Sequence, residues 1–250
     1  MKNKSEYIKF ILPLLIIFFW FIFTYTGKVP PTSLPSLSAV KDTFIKMLKS
    51  GQLSNDLSLS LRRVLAGFFI SSVLGISLGI FMGISSKAKE FFQLTLTAIR
   101  QIPMIAWIPL IILWAGIGET SKIAVILFAA TFPIVVNTMG GVDSTSETYL
   151  EVAKMYGLSK KDTFFKVYLP SALPNIFTGL RLGLGASWMA VVASELIASS
   201  SGIGYRLNDA RSLMRSDVVI VCMIIIGLVG LLMDKLIVLI SHELTPWKKN

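Results

Sequence analysis

Cysteine and histidine are almost missing from this chain: there is one of each, Cys222 and His242. A lone cysteine excludes an internal disulfide, and Cys222 lies in an apolar run, where it reads as a small buried side chain. One cysteine and one histidine leave no Cys/His cluster for a metal, and there is no H-E-x-x-H pair. His242 near the C-terminus reads as a surface residue, too remote for a Ser, His and Asp set. No G-x-x-x-x-G-K-[ST] loop is present, so ATP has no phosphate cradle of that kind. The G-I-G of Gly202 to Gly204 is too short for a nucleotide loop and reads as a bend. Charge is scarce at 15% of residues. No internal repeat, low-complexity tract or long linker divides the chain. The expected catalytic set and metal set are both empty.

Apolar residues fill the space left by these absences. They make up 54% of the chain, and the mean hydropathy is +0.71, more than a soluble core requires. The formal net charge is +10, which in a soluble protein would suggest nucleic acid. Here the basic residues fall mostly outside the apolar runs, so they read as membrane anchors with no nucleic-acid partner. A membrane helix needs about 20 mainly apolar residues. Six segments qualify: 8–25, 64–83, 98–116, 122–139, 178–199 and 218–240. The first follows Lys2, Lys4 and Lys9 like a signal peptide, yet FFWFIFTYTG offers no A-x-A-like cleavage site, so a retained anchor is expected. The fold class is therefore all-α: a polytopic membrane protein with six transmembrane helices in one domain, residues 1–250.

With both termini in the cytoplasm, 14 Lys and Arg fall inside and 10 outside. Six of the outer ten (Lys28, Lys41, Lys46, Lys49, Arg62 and Arg63) lie in residues 26–63, and setting that segment aside leaves 14 against 4, a positive-inside bias. Residues 38–49, SAVKDTFIKMLK, suggest an amphipathic helix at the outer surface.

Several features inside the spans carry more than hydropathy. Gly75, Gly79 and Gly83 recur every four residues, and such a row lets another helix approach closely in lipid. Gly179 and Gly183 repeat the device. Pro103 and Pro109 suggest a bent third span, lining a path or simply kinked. Pro133, with Thr131 and Asn137 nearby, raises the same choice in the fourth. Trp107, Trp114 and Trp188 are interface anchors or bundle filling. Arg100, Arg181 and Asp234 fall near span ends, where snorkelling explains them. Glu195 lies deeper, and an intramembrane carboxylate is costly unless paired or wetted. It stands at an outer gate or beside the path, or it pairs with Arg206, Arg211 or Arg215. If a substrate passing here is an anion, a bare carboxylate would repel it, which favours pairing.

The longest polar-rich interval of the second half is STSETYLEVAKMYGLSKKDTFFKVYLPSALP, Ser144 to Pro174. Ser144 with Glu147 fits a capping box, so a helix is expected to start there. Tyr149, Val152, Ala153 and Tyr156 then share one face. Gly157 is placed to end that helix in a left-handed conformation. Ser159 with Asp162 is a second capping box, and Pro170 and Pro174 are expected to end the second helix. A helix, corner and helix between two membrane spans is a shape for docking something.

Glu151, Ala153, Gly157, Val167, Leu169 and Pro170 match the EAA motif of ATP-binding-cassette (ABC) importer permeases: E-A-A, three residues, G, nine residues, then I-x-L-P. Both intervals agree, with Val152 for the middle alanine and Val167 for isoleucine. The wider chain resembles the sulfonate, taurine and nitrate branch. The likeness runs from PSLSAV at Pro35 through SLRRVLAGF, IPMIAWIPL, WAGIGETSK and SSGIGYRLNDA to LTPW. The resemblance implies a type I importer permease fold and a non-catalytic subunit that passes a small anion across the plasma or inner membrane. It implies ABC ATPase subunits that bind ATP and Mg, a second copy of the permease, and an extracytoplasmic solute-binding protein. It also implies that residues 144–174 form a coupling loop, with Glu151, Ala153, Tyr156, Gly157, Leu169 and Pro170 at the docking surface. Glu195, Pro103 and Asn137 are path or gate candidates. The alternatives are an ion-coupled secondary transporter, for which only Glu195 is a coupling candidate and no inverted repeat is visible, or a permease for a vitamin precursor.

Overall fold

Small residues set the closest helix contact. In lipid, helices gain little from hiding apolar surface from each other, so association relies on close van der Waals packing. The computed structural model describes residues 3–27 and 29–247, with side chains from residue 10 onward. Lys2 and Lys28, and the side chains of Lys4 and Lys9, lie outside the described residues. The described helices are α1 (Asn3–Tyr25), α2 (Leu37–Lys49), α3 (Gln52–Ile84), α4 (Ser86–Arg100), α5 (Met104–Ala115) and α6 (Glu119–Asp143). They continue as α7 (Glu147–Met155), α8 (Lys160–Thr163), a π-helical turn (Phe164–Tyr168), α9 (Leu169–Ala198), α10 (Ile203–Ser212) and α11 (Ser216–Leu244).

The glycine row lies against α6. A Cβ at Gly75 would sit 2.7 Å from Ile134 Cγ2, and one at Gly79 would sit 2.6 Å from Thr138 Cβ. Gly83 meets Val142 in the same way, and Gly67 extends the row back to Ile126. On the opposite side of α6, Gly179 abuts Asn137 and Gly183 abuts the end of Ile134. Ile134 is thus fully buried between glycines of two neighbouring helices. Helix α6 is the middle layer between α3 and α9. Large apolar side chains point outward instead, among them Leu65, Phe69 and Val73 on α3 and Leu228, Leu231 and Leu232 on α11. An apolar surface of this kind suits lipid.

Four helical stretches are long and apolar enough to cross a membrane: Gln52–Ile84, Glu119–Asp143, Lys160–Ala198 and Ser216–Leu244. The bent pair α4 and α5 makes a fifth, and α1 contributes a shorter apolar helix, Phe10–Tyr25. The expected third span, 98–116, is not one helix. It breaks after Arg100 and turns by 100°. Pro103 is the N-cap of α5 with extended ψ. Proline disfavours helical geometry in the residue before it, Ile102, so the chain leaves the helix there. Pro109 and Pro133, by contrast, lie inside α5 and α6.

Helix α2 forms as expected but does not lie free on a surface. It buries Val40 and Met47 in the main apolar cluster, and Thr43 Oγ1 donates to Asp217 at the start of α11 (2.6 Å). Trp188 fills the bundle and donates its Nε1–H to the Ile226 carbonyl of α11, Trp107 packs on Phe128, and Trp114 is exposed. Cys222 is fully buried and His242 exposed.

Candidate docking site and the anchor at its far end

The polar interval at 144–174 folds as a rigid corner. Its first helix begins later than the capping box suggested. Ser144 closes α6, donating to the Gly141 carbonyl, and Ser146 is the N-cap of α7, without a side-chain cap bond. The reason is that Ser144 backbone N–H still serves α6 through the Gly140 carbonyl.

The far end of α7 closes as a Schellman motif. Leu158 N–H donates to the Ala153 carbonyl and Gly157 N–H to the Lys154 carbonyl, both at 3.0 Å. Those two bonds require a left-handed residue between them, and Gly157 supplies it with φ +66°. Open space surrounds its missing Cβ, so the constraint on this position is conformational, not steric. The second capping box forms: Ser159 Oγ accepts from Asp162 N–H (3.1 Å) and donates to the Asp162 carboxylate (2.6 Å).

Pro170 and Pro174 do not end the second helix. Both lie within α9, and helix runs without a gap from Lys160 to Ala198. The π-helical turn accounts for this. Leu169 N–H reaches back to the Phe164 carbonyl, five residues away, so the ladder is already shifted where Pro170 lacks its donor. Proline then occupies the first turn of α9, where a missing N–H costs little.

Of the four α7 residues expected on one face, Tyr149, Val152 and Tyr156 are exposed and Ala153 is buried. Met155 is 86% exposed and adds to the patch. Tyr149, Val152, Tyr156, Val167, Pro170 and Trp247 line an open groove of about 830 Å³. Glu151 and Lys154 are exposed on α7. Leu169 is the first residue of α9, so the corner is continuous with a long stiff rod. An exposed apolar patch on a rigid helix outside the bundle, rimmed by charge, is the form of a protein-docking surface.

The same rod is anchored at its other end. Glu195 lies 1% exposed near the end of α9. Its carboxylate accepts from Arg63 Nη1 (2.6 Å), Ser60 Oγ (2.8 Å) and Gly204 N–H (2.9 Å). The partner is therefore Arg63 of α3, not Arg206, Arg211 or Arg215. Arg206 is taken by Asp56 at 2.8 Å, while α10 turns Arg211 toward Asn208. Arg63 also makes a bidentate pair with Glu119 of α6 (2.6 and 2.7 Å) and two bonds to Ser201. All five guanidinium N–H groups are thus used, and Lys122 backs the same Glu119 at 3.2 Å. One buried arginine ties α3, α6, α9 and the loop before α10. That chemistry is structural clamping.

The remaining path candidates are dispersed. Pro103 stands at the α4–α5 break. Asn137 lies on the α6–α9 contact, its Nδ2–H bonded to the Pro133 carbonyl (2.8 Å). Arg181 and Asp234, read separately as snorkelling groups, bond to each other at 2.5 and 2.7 Å. Arg63 escaped sequence reading because it looked like a charge flanking a span. A signal was available: Asp56, Ser60 and Arg63 follow at four and three residues on one face of the helix that leads into an apolar span.

Comparison with known proteins agrees with this geometry. Residues 71–245 match the family described as the inner membrane component of binding-protein-dependent transport systems. A protein of Methanocaldococcus jannaschii named as an ABC transporter permease is 38% identical over 99% of this chain and 94% of its own length. The aliphatic sulfonates transport permease SsuC of Bacillus subtilis is 36% identical over 96% and 87%. The nitrate import permease NrtB of Synechocystis is 38% identical over 75% and 68%. Among solved structures, an amino acid ABC transporter shares the fold with a TM-score of 0.65 at 17% identity, covering 80% of this chain and 98% of that one.

Proposed function

This chain belongs to the family of inner membrane components of binding-protein-dependent transport systems, and we propose that it is the permease subunit of an ATP-driven importer for a small anion such as a sulfonate, taurine or nitrate. The sulfonate and nitrate relatives support that substrate class. In this reading two copies of the chain form the path. Cytoplasmic ATPase subunits bind ATP and Mg, and an extracytoplasmic binding protein delivers the solute. Both chain termini then lie in the cytoplasm, on the same side as the 144–174 corner. The subunit itself carries no catalysis.

One observation carries the docking assignment: the exposed apolar face of α7 is locked by the Gly157 corner to the helix Lys160–Ala198. That helix has 39 residues, about 58 Å of rod, and ends in the Arg63–Glu195 clamp. A push on the groove by a closing ATPase is passed to the rod, because the short corner between them, residues 156–159, is closed by the Leu158, Gly157 and Ser159 bonds. Glu151 and the lysines at 154, 160, 161 and 166 select the partner surface through charge.

The test is Gly157→Val, assayed in the reconstituted permease–ATPase complex. A β-branched residue at φ +66° is strained by at least about 1–2 kcal/mol, and the corner relaxes to another angle. The expected result is normal insertion with loss of ATP-coupled uptake. Normal coupling in this variant would remove the docking role of the corner.

A further inference from the structure

The two best-placed arginines of the membrane domain differ in one respect. Arg63 has all five N–H donors engaged. Arg181 uses Nε and one Nη2 proton on Asp234, and among the described residues its other three N–H groups have no partner. The pair is not enclosed: Arg181 is 52% and Asp234 44% exposed. Along α9, Arg181 sits about 18 Å from Leu169 and about 26 Å from Ala198. Along α11, Asp234 follows the unbroken apolar run 218–233 and sits about 15 Å from Leu244. The pair therefore marks the inner edge of the hydrocarbon zone in the orientation proposed above.

Lipid is a poor neighbour for this face. Three unpartnered donors are costly beside hydrocarbon, and at its edge the two bonds to Asp234 tie the guanidinium to α11 and restrain it from turning to the headgroups. The surroundings point inward instead. Helix α9 is packed by α3, α5, α6, α10 and α11. Its open stripe runs through Thr178, Leu182, Gly185 and Met189. Beside the pair, Gly185, Trp188 and Gly230 line a cleft of about 30 Å³, enough for a water molecule. Gly185 has nothing within 4 Å of its missing Cβ, so the cleft opens onto free space.

We propose that Arg181 is a transient binding point for a small oxyanion at the inner mouth of the translocation path, and that Asp234 is the counter-ion that prevents the anion from being held. A planar guanidinium with three spare donors matches an oxyanion. Unopposed, it would trap one, whereas a path must release what it binds. A bonded carboxylate competes for the same donors and keeps occupancy brief. The inference rests on the anion-importer reading, but its test does not.

The chain's single cysteine is buried, so accessibility labelling starts from a clean background in Cys222→Ala. In that background Gly185→Cys, within the assembled permease–ATPase complex in vesicles, is treated with two thiosulfonate reagents, one bearing a sulfonate and one a quaternary ammonium. The sulfonate reagent is expected to react faster, and methanesulfonate is expected to slow it. In Arg181→Gln/Asp234→Asn, which removes both charges and leaves neither without its partner, the preference should fall roughly tenfold. In Asp234→Asn alone, methanesulfonate should protect at roughly tenfold lower concentration. Three results overturn the proposal: no labelling by either reagent, which means lipid; a disulfide between two Gly185→Cys copies with no labelling, which means a protomer contact; or labelling without charge preference. Uptake is measured in parallel. If oxyanion uptake by the whole assembly fails while the labelling pattern holds, the substrate reading falls and the site stands. If uptake succeeds without a charge preference, the site falls alone.

Discussion

Replacing Arg63 by methionine keeps an unbranched stem but removes the guanidinium, and with it the charge that Glu195 faces. The carboxylate is then left in the bundle with Ser60 and the Gly204 N–H as its remaining partners. Breaking a buried pair from one side costs about 3–5 kcal/mol, because the surviving charge is uncompensated. Glu195→Met strands one Arg63 N–H and the Gly204 N–H, for about 2–3 kcal/mol. If the two charges are buried for each other, the double variant removes the uncompensated charge that each single variant creates. Glu119, 59% exposed, can hydrate once Arg63 is gone. The double variant should then be no less stable than Arg63→Met alone, a non-additivity of about 2–3 kcal/mol. Denaturant titration of the purified chain in mixed micelles, followed by tryptophan fluorescence, reads all four corners of the cycle. A double variant that loses the full sum of the two single losses would refute the buried-pair account. In that case Arg63 acts through Glu119 and Ser201 only.

Two further outcomes follow from packing. Gly79→Ala places a Cβ 2.6 Å from Thr138 Cβ and 2.8 Å from the Val135 carbonyl. The α3–α6 contact must open, at about 1–3 kcal/mol. Gly227→Ala, with nothing within 4 Å, should be neutral or stabilising by up to about 1 kcal/mol. The same micelle titration compares them, and equal effects would remove close approach as the reason for the row. Trp247→Ala should weaken capture of the partner ATPase roughly tenfold, since a half-open tryptophan lining a groove is a typical anchor. Surface plasmon measurement with the immobilised ATPase checks this, and unchanged affinity would place the C-terminal segment outside the contact.

The long rod joins the corner of the subunit to its clamp without a break in the helix. The corner at Gly157 and the clamp at Glu195 sit at opposite ends of one uninterrupted helix. That continuity depends on the π-helical turn. A regular α-helix arriving at Pro170 would meet a missing donor and a ring clash with the carbonyl four residues back. One extra residue in the turn shifts the ladder past it.

Composition and local spacing were enough for the class of this protein. Long apolar runs identify membrane helices because lipid offers the backbone no hydrogen bonds, and the glycine row identifies a close contact because only missing side chains permit one. Gly157 and Ser159 were legible for the same kind of reason: a helix end is closed by residues within a few positions of it. The choice between Ser144 and Ser146 was not legible, since it turned on whether α6 still needed the backbone group. The break at Pro103, against the uninterrupted helix at Pro170, likewise depended on what the flanking turns could absorb. The partner of Glu195 lay 132 residues away, and Arg181 met Asp234 across 53. Pairing between charges on different helices is a property of distance in space. Nothing in the order of residues along the chain specifies which of several arginines a buried carboxylate will face.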